Sequence, residues 1–220
     1  MSFFQSSFPL LNALDLLAAV AFAITGALVA SRKQLDILGF IWLAVITGVG
    51  GGTVRDLVLG VPVFWVQDPT PVIACILTAI AVHFAAHLMV SRYRFILLFD
   101  AFGMALVAVI GAAKGIDMGT GAVVAVMMGV MTAALGGIIR DTLGQEPSII
   151  LRSEIYVAAA VAGAGCYVAL EALDVARTHA MAASAGLAFV IRVCAIRLNW
   201  SLPVYRARAG RDVPQDGAQR

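Results

Sequence analysis

Two short stretches carry the groups with the most chemical potential. Gly50-Gly51-Gly52-Thr53-Val54-Arg55-Asp56 follows directly on the apolar run Ile37 to Val49, and Gly136-Gly137-Ile138-Ile139-Arg140-Asp141 repeats it, the two arginines standing 85 residues apart. Each copy also places Thr, Gly and Arg at i, i+4 and i+8: Thr47, Gly51 and Arg55, then Thr132, Gly136 and Arg140. On a helix that spacing is one face. Each glycine costs roughly 1 kcal/mol relative to Ala inside a helix. Three in a row therefore predict a kink or short break, with freed carbonyls offered to water, protein or an ion. The competing reading is packing, because small residues four apart also let helices approach closely.

The arginines need partners, and the same register supplies them. Asp15 and Asp100 also stand 85 apart, which gives two symmetry-related ion pairs, Asp15–Arg55 and Asp100–Arg140. The alternative is local neutralisation by Asp56 and Asp141. Adjacent residues do not face each other on a helix, so that alternative requires the helix to have ended. Other groups carry less. His83 and His87 have an i, i+4 metal spacing but no third ligand nearby, and read as a polar stripe. His179 reads as a loop residue. Gly48 to Gly52 lacks the lysine of a phosphate-binding loop and follows no strand. Cys75, Cys166 and Cys194 lie in apolar runs and read as packing residues. No nucleophile–His–acid set is present, so no catalytic residue, metal site or cofactor is expected.

Composition places these groups. The chain is 61% hydrophobic and only 13% charged, with a mean hydropathy of +0.96. Soluble domains are roughly 45–50% apolar, so an all-α integral membrane protein is expected. A formal net charge of +2, scattered along the chain, gives no argument for nucleic acid. Arginines at membrane depth face the bundle interior or water and have partners. That shifts the repeated device from packing towards a polar path.

Seven segments are long and apolar enough to be read as membrane helices: 10–30, 37–59, 71–90, 95–115, 120–140, 154–173 and 180–199. Arg192 and Arg197 interrupt the last and are expected to snorkel to an interface. Met1 to Pro9 carries no Lys or Arg, so the first run reads as a retained helix and not a cleaved signal. The 85-residue register also pairs Gly26 with Gly111, Ala27 with Ala112, Gly52 with Gly137, Asp56 with Asp141, and Pro62 with Pro147. Three helices per unit is an odd number, so the second copy must enter from the opposite side. The expected order is an extension at 1–9, a three-helix repeat at 10–90, an inverted repeat at 95–173, a seventh helix at 180–199 and a polar tail at 203–220. Arg32, Lys33, Arg92, Arg94, Arg152, Arg206, Arg208, Arg211 and Arg220 fall on one side, against Lys114 and Arg177 on the other. The basic side is cytoplasmic, which puts the N-terminus outside and the C-terminus inside. Phe64, Trp65 and Trp200 read as an interfacial aromatic belt. The Lys33–Asp36 and Tyr93 regions read as solvated turns.

The run Ala27–Lys33, then Asp36, the Gly50–Asp56 element and Pro62-Val63-Phe64-Trp65 resembles the bacterial members of the trimeric intracellular cation (TRIC) channel family. The resemblance extends from about Asp15 to Arg197, and its second copy at 136–141 has Leu135 where the first has a third glycine. It implies a homotrimer in a bacterial inner membrane. Each subunit would carry its own pore for monovalent cations, K⁺ above Na⁺, lined by the second and fifth helices and kinked at their glycines. Gly50, Gly51, Gly52 and Arg55, with Gly136, Gly137 and Arg140, are then the pore and kink positions, and membrane lipid is a partner. The basic lipid-binding motif of the animal channels is not found here. The same family also carries the label of glycine transporter.

The residues alone leave the choice open. Arginines in a path favour anions unless neutralised. A channel requires a continuous wet path. A transporter requires a closed midplane site with half-helix N-termini facing a carboxylate. A non-conducting scaffold requires a dry interior.

Overall fold

The computed structural model describes residues 9–88, 91–147 and 155–201. The expected extension up to Phe8, Arg152 and the polar tail lie outside the described residues. Those described form eight α-helices: α1 (Pro9–Arg32), α2 (Ile37–Val58), α3 (Phe64–Gln67), α4 (Thr70–Ala85), α5 (Arg92–Asp117), α6 (Ala122–Leu143), α7 (Val157–Ala172) and α8 (Arg177–Leu198). A 3₁₀ turn, Ala86–Leu88, extends α4. Each of the seven predicted segments is helical, with ends shifted by a few residues. Five helices, α1, α2, α5, α6 and α8, are long and apolar enough to cross a membrane. The 16-residue α4 and α7 reach about 24 Å, against a hydrocarbon core of roughly 30 Å. The short α3 is an addition, since Gly60 to Thr70 reads as a plain connection in the sequence.

Local chemistry sets the ends. Asp36 caps α2 by accepting from the Gly39 N–H at 2.7 Å, a bond that satisfies one of the orphan donors of a helix start. Gly60 and Gly119 follow α2 and α5 with φ of +67° and +74°, values that glycine adopts without steric cost.

The helices pack in equivalent sets. α1 packs on α2 and α4, and α2 on α4; α5 packs on α6 and α7, and α6 on α7. The two sets meet through α1 against α5 and α2 against α6, while α8 lies on α5 and α7. Helices α2 and α6 begin and end 85 residues apart. Within each set the first two helices meet through small residues: a Cβ at Gly26 of α1 would sit 2.6 Å from the Leu43 carbonyl of α2, and one at Gly111 of α5 2.8 Å from the Met128 carbonyl of α6. Small residues at these crossings allow backbone-to-backbone packing, the main attraction available where lipid is as apolar as the side chains.

Candidate functional site

The site is assembled around the crossing of α2 and α6. Gly51 lies against the Thr132 main-chain carbonyl, too close for any side chain. Reciprocally, a Cβ at Gly136 would stand 3.1 Å from the Thr47 carbonyl. As the number rises on α2 it falls on α6, so the two helices cross antiparallel and their arginines point away from the crossing in opposite directions. Both helices run unbroken past their glycines. The short break expected from Gly50, Gly51 and Gly52 is therefore not there, and neither helix leaves a half-helix terminus at the crossing. Close packing against the facing backbone outweighs the poor helix propensity. Thr47 and Thr132 do share the buried stripe with Gly51, Arg55, Gly136 and Arg140. Their hydroxyls, however, donate back to Leu43 O and Met128 O, each at 2.6 Å.

Past the crossing on α2, Arg55 is fully buried. Its Nη1 and Nη2 reach Asp15 Oδ1 and Oδ2 at 3.1 and 3.5 Å, and its Nε donates to Asp56 Oδ1 at 2.8 Å. Asp56 Oδ1 also accepts from Lys114 Nζ at 3.0 Å, and Oδ2 from the Phe64 N–H at 3.0 Å. Past the crossing on α6, Arg140 is likewise fully buried. Its Nη1 donates to Asp100 Oδ1 at 2.7 Å and to Thr25 Oγ1 at 3.0 Å, and its Nε donates to Asp141 Oδ1 at 2.8 Å. The two readings of arginine neutralisation are thus not alternatives. Arg is long enough to fold over its own helix onto the next residue while its outer nitrogens reach another helix, and no helix end is needed. Two carboxylates per guanidinium use its planar fork of donors, which is what lets so costly a charge stay buried.

Several participants were not legible as such. Lys114, read above only as a charge on the less basic side, belongs to the last turn of α5 and closes the first cluster. Phe64 and Trp65 make contacts that the belt reading did not include. Phe64 lies 5.7 Å from Arg55 Cζ and 5.9 Å from Lys114 Nζ, measured to the ring centroid, and Trp65 Nε1 donates to Thr53 Oγ1 at 2.8 Å. Helix α3 is thereby folded onto the first cluster. Tyr156, at the start of α7, donates its hydroxyl to Ala133 O at 2.9 Å beside the second cluster. Arg192 does not snorkel; it is fully buried. The usable signal was its charge in mid-helix, which by default marks a functional position. Tyr93 is not a solvated turn either: it starts α5, with Arg32 Cζ 5.4 Å from its ring centroid.

The remaining candidates lie apart. His83 packs edge-on against Phe40 and Phe84, with ring centroids 4.7 and 5.3 Å away, while His87 is exposed in the 3₁₀ turn. Cys75 is buried against α1, and Cys166 and Cys194 are half-buried.

Comparison with known proteins gives the same layout. A family model described as glycine transporter matches twice, at residues 12–87 and 97–172, matches that stand 85 residues apart at both ends. The Escherichia coli K12 UPF0126 inner membrane protein YadS is 36% identical over 195 residues, 87% of this chain and 94% of its own. A UPF0126 membrane protein of Vibrio cholerae is 35% identical over 201 residues, 89% of this chain and 83% of its own. Among solved structures, the TRIC trimeric intracellular cation channel orthologue from Rhodobacter sphaeroides superposes with a TM-score of 0.84 at 49% identity, covering 86% of this chain and 98% of that one. A structure reported for conductance through TRIC cation channels gives 0.79 at 31% identity, covering 90% and 98%.

Proposed function

The chain belongs to the TRIC channel family and matches the family model described as glycine transporter, and from that we propose that it is a monovalent cation channel, mainly for K⁺, and not an enzyme. The subunit comprises seven membrane helices: two inverted repeats, α1–α2–α4 and α5–α6–α7, with α8 outside them. The antiparallel crossing of α2 and α6 supports the inversion. The relatives named for trimeric channels support a homotrimer in the bacterial inner membrane, bathed in lipid and needing no cofactor. The basic loops set the N-terminus outside and the C-terminus in the cytoplasm.

The pore in each subunit follows α2 and α6. Its narrowest point is the crossing at Gly51 and Gly136, and conduction requires the two helices to part there. Gly50, Gly51, Gly52, Gly136 and Gly137 lower the cost of that bend, because glycine resists helix geometry. Arg55 stands six residues, about 9 Å of helix, beyond the centre of the crossing near Val49. That depth lies inside a half-membrane of roughly 15 Å. The observation that carries the cation reading is the neutralisation of both arginines: Asp15 with Asp56, and Asp100 with Asp141, remove the positive barrier that would select anions.

A glycine transporter is the second reading, favoured by the family description. The unbroken α2 and α6 weigh against it, since they present no half-helix N-terminus to a carboxylate. Flux into liposomes containing only the purified protein separates the two. A fast K⁺ leak that Arg140→Ala alters, with no glycine uptake, is the expected result. Saturable glycine uptake with negligible K⁺ current would overturn it.

A further inference from the structure

A second hydrogen bond meets α6 at the point where its glycines make it weakest. In the unbroken helix the Gly137 N–H donates to the Ala133 carbonyl, four residues back. The same carbonyl accepts from the Tyr156 hydroxyl at 2.9 Å, and both residues are buried. Tyr156 stands at the start of α7, which packs on α5 and α8 as well as on α6. Arg192 Cζ lies 5.1 Å from the centroid of its ring. The donor therefore belongs to a neighbour and does not travel with α6. An acceptor stands near Gly137 as well. A Cβ placed on that glycine would be 3.6 Å from Asp100 Oδ1, 3.7 Å from Arg140 Nη2 and 3.9 Å from the Tyr156 hydroxyl. Asp100 Oδ1 is taken by Arg140, while the buried Oδ2 accepts no hydrogen bond among the described residues.

A bend at Gly137 opens the bond from Gly137 to Ala133 and frees one donor and one acceptor. Inside a membrane each such group is costly unless protein or water satisfies it. Here the carbonyl keeps the Tyr156 hydroxyl, and the Asp100 carboxylate is the acceptor on the Gly137 side. We propose that Tyr156 is a positioning residue for a hinge at Gly137: its hydroxyl holds the Ala133 carbonyl when the helix bond opens, and Asp100 Oδ2 receives the freed N–H. The pore reading enters only in what the hinge is for, which is to part α6 from α2. The first repeat does not spell this device. The position equivalent to Tyr156 is Pro71, which has no donor, and the atoms nearest to a Cβ on Gly52 are ring carbons of Phe64. Thr53 does donate its hydroxyl to Val49 O at 2.7 Å. That hydroxyl sits on the residue whose own N–H serves the same carbonyl, so a bend carries both donors away together.

The test uses the full chain, purified and placed in liposomes, as wild type, Tyr156→Phe, Gly137→Ala and Tyr167→Phe. Tyr156→Phe removes one hydroxyl and keeps the ring. Tyr167→Phe removes another buried hydroxyl from α7, one outside the hinge, and is the control. Hydrogen–deuterium exchange of the α6 segment around Gly137 reads the bend without reference to conduction. Tyr156→Phe is expected to slow that exchange roughly tenfold, the factor carried by one buried hydrogen bond left unmade in the bent state. K⁺ flux falls by a similar factor, and Tyr167→Phe leaves both near wild type. A hydroxyl that only braces the resting fold has the opposite sign: its loss speeds exchange. Exchange in Tyr156→Phe as fast as wild type or faster, or an equal slowing in Tyr167→Phe, would overturn the proposal. Gly137→Ala locates the hinge by a second route. Alanine stiffens the helix, so slower exchange in the same segment supports a bend at Gly137, and unchanged exchange overturns it. A wild type that carries no K⁺ flux would sink the channel reading, while the exchange comparison would still decide for or against the hinge.

Discussion

Gly51 on α2 faces the main-chain carbonyl of Thr132 on α6 with no room for a single carbon between them. Its repeat partner, Gly136, leaves the Thr47 carbonyl 3.1 Å from where a Cβ would be. The crossing is therefore a contact of backbone on backbone, and the tightest part of it is on the Gly51 side. A methyl group there must push two helices apart, where a contact with a flexible side chain would simply move aside.

Gly51→Ala is accordingly expected to destabilise the protein by about 1–3 kcal/mol, the usual cost of overpacking, and Gly136→Ala by less. Gly137→Ala is the control. Around it the nearest atoms are 3.6 Å away or more, so the methyl fits and the gain in helix propensity of roughly 0.5–1 kcal/mol shows as equal or higher stability. Thermal melting in detergent orders the three, and a Gly51→Ala that melted with or above Gly137→Ala would contradict the geometry.

The Asp15–Arg55 pair gives a sharper number. Arg55 is shared between Asp15 and Asp56, so Asp15→Asn leaves it half-neutralised, whereas Arg55→Ala strands two acids beside Lys114. Breaking a buried pair from one side costs about 3–5 kcal/mol. Arg55→Ala should sit at the upper end of that range and Asp15→Asn at the lower end or below it. In the double variant the losses should fall short of additive by about 1 kcal/mol or more, as contacting residues do. A strictly additive cycle would mean that the contact carries no coupling.

Surface pairs should behave in another way. Glu146 meets Arg32 at 3.5 Å and Lys33 at 3.6 Å, all with appreciable exposure. Such pairs are worth about 0–1 kcal/mol and are screened by salt. Glu146→Gln should therefore change the melting temperature by only a degree or two, and less in high salt. Asp100→Asn, buried on Arg140, should cost several times more with little dependence on salt. Equal costs for the two would remove the distinction between inner and outer charges.

These contrasts also mark what the amino-acid order disclosed. The register of 85 placed Asp15 with Arg55 and Asp100 with Arg140 because both halves spell the same charges at the same spacing. It could not place Lys114 or Arg192, which have no counterpart in the other half. The glycines were legible as a contact or a break, and propensity alone favoured the break. What decided for an unbroken helix was the facing backbone of α6, far along the chain and invisible to local pattern. Arg192 was misread for a related reason: snorkelling assumes a lipid-facing side chain, and the small residues four apart on α8 face α5 and α7 instead. Phe64 and Trp65 have a belt's composition, but the Asp56 carboxylate and the Thr53 hydroxyl fold them inward.

That inward fold leads to a difference between the two mouths of the proposed pore. Phe64 lies near both Arg55 and Lys114, its backbone N–H is held by Asp56, and a Cβ on Gly52 would lie 2.7 Å from its ring. The residue 85 positions on is Ile149, so the second repeat does not spell an aromatic at the equivalent place in its sequence. A ring over two cations excludes water from them and is worth about 0.5–2 kcal/mol per contact. Phe64→Ala removes the cover and should raise K⁺ flux several-fold in liposomes while leaving Asp56 bonded to the main chain. Phe64→Tyr keeps the ring and should stay near wild type. Thr53→Ala frees the Trp65 indole but not Phe64, so its effect on flux should be the smaller of the two. Flux from Phe64→Ala equal to wild type, at an unchanged melting temperature, would show that the first mouth is not limited by this ring. Resistance would then fall to the crossing itself, where Gly51 and Thr132 meet.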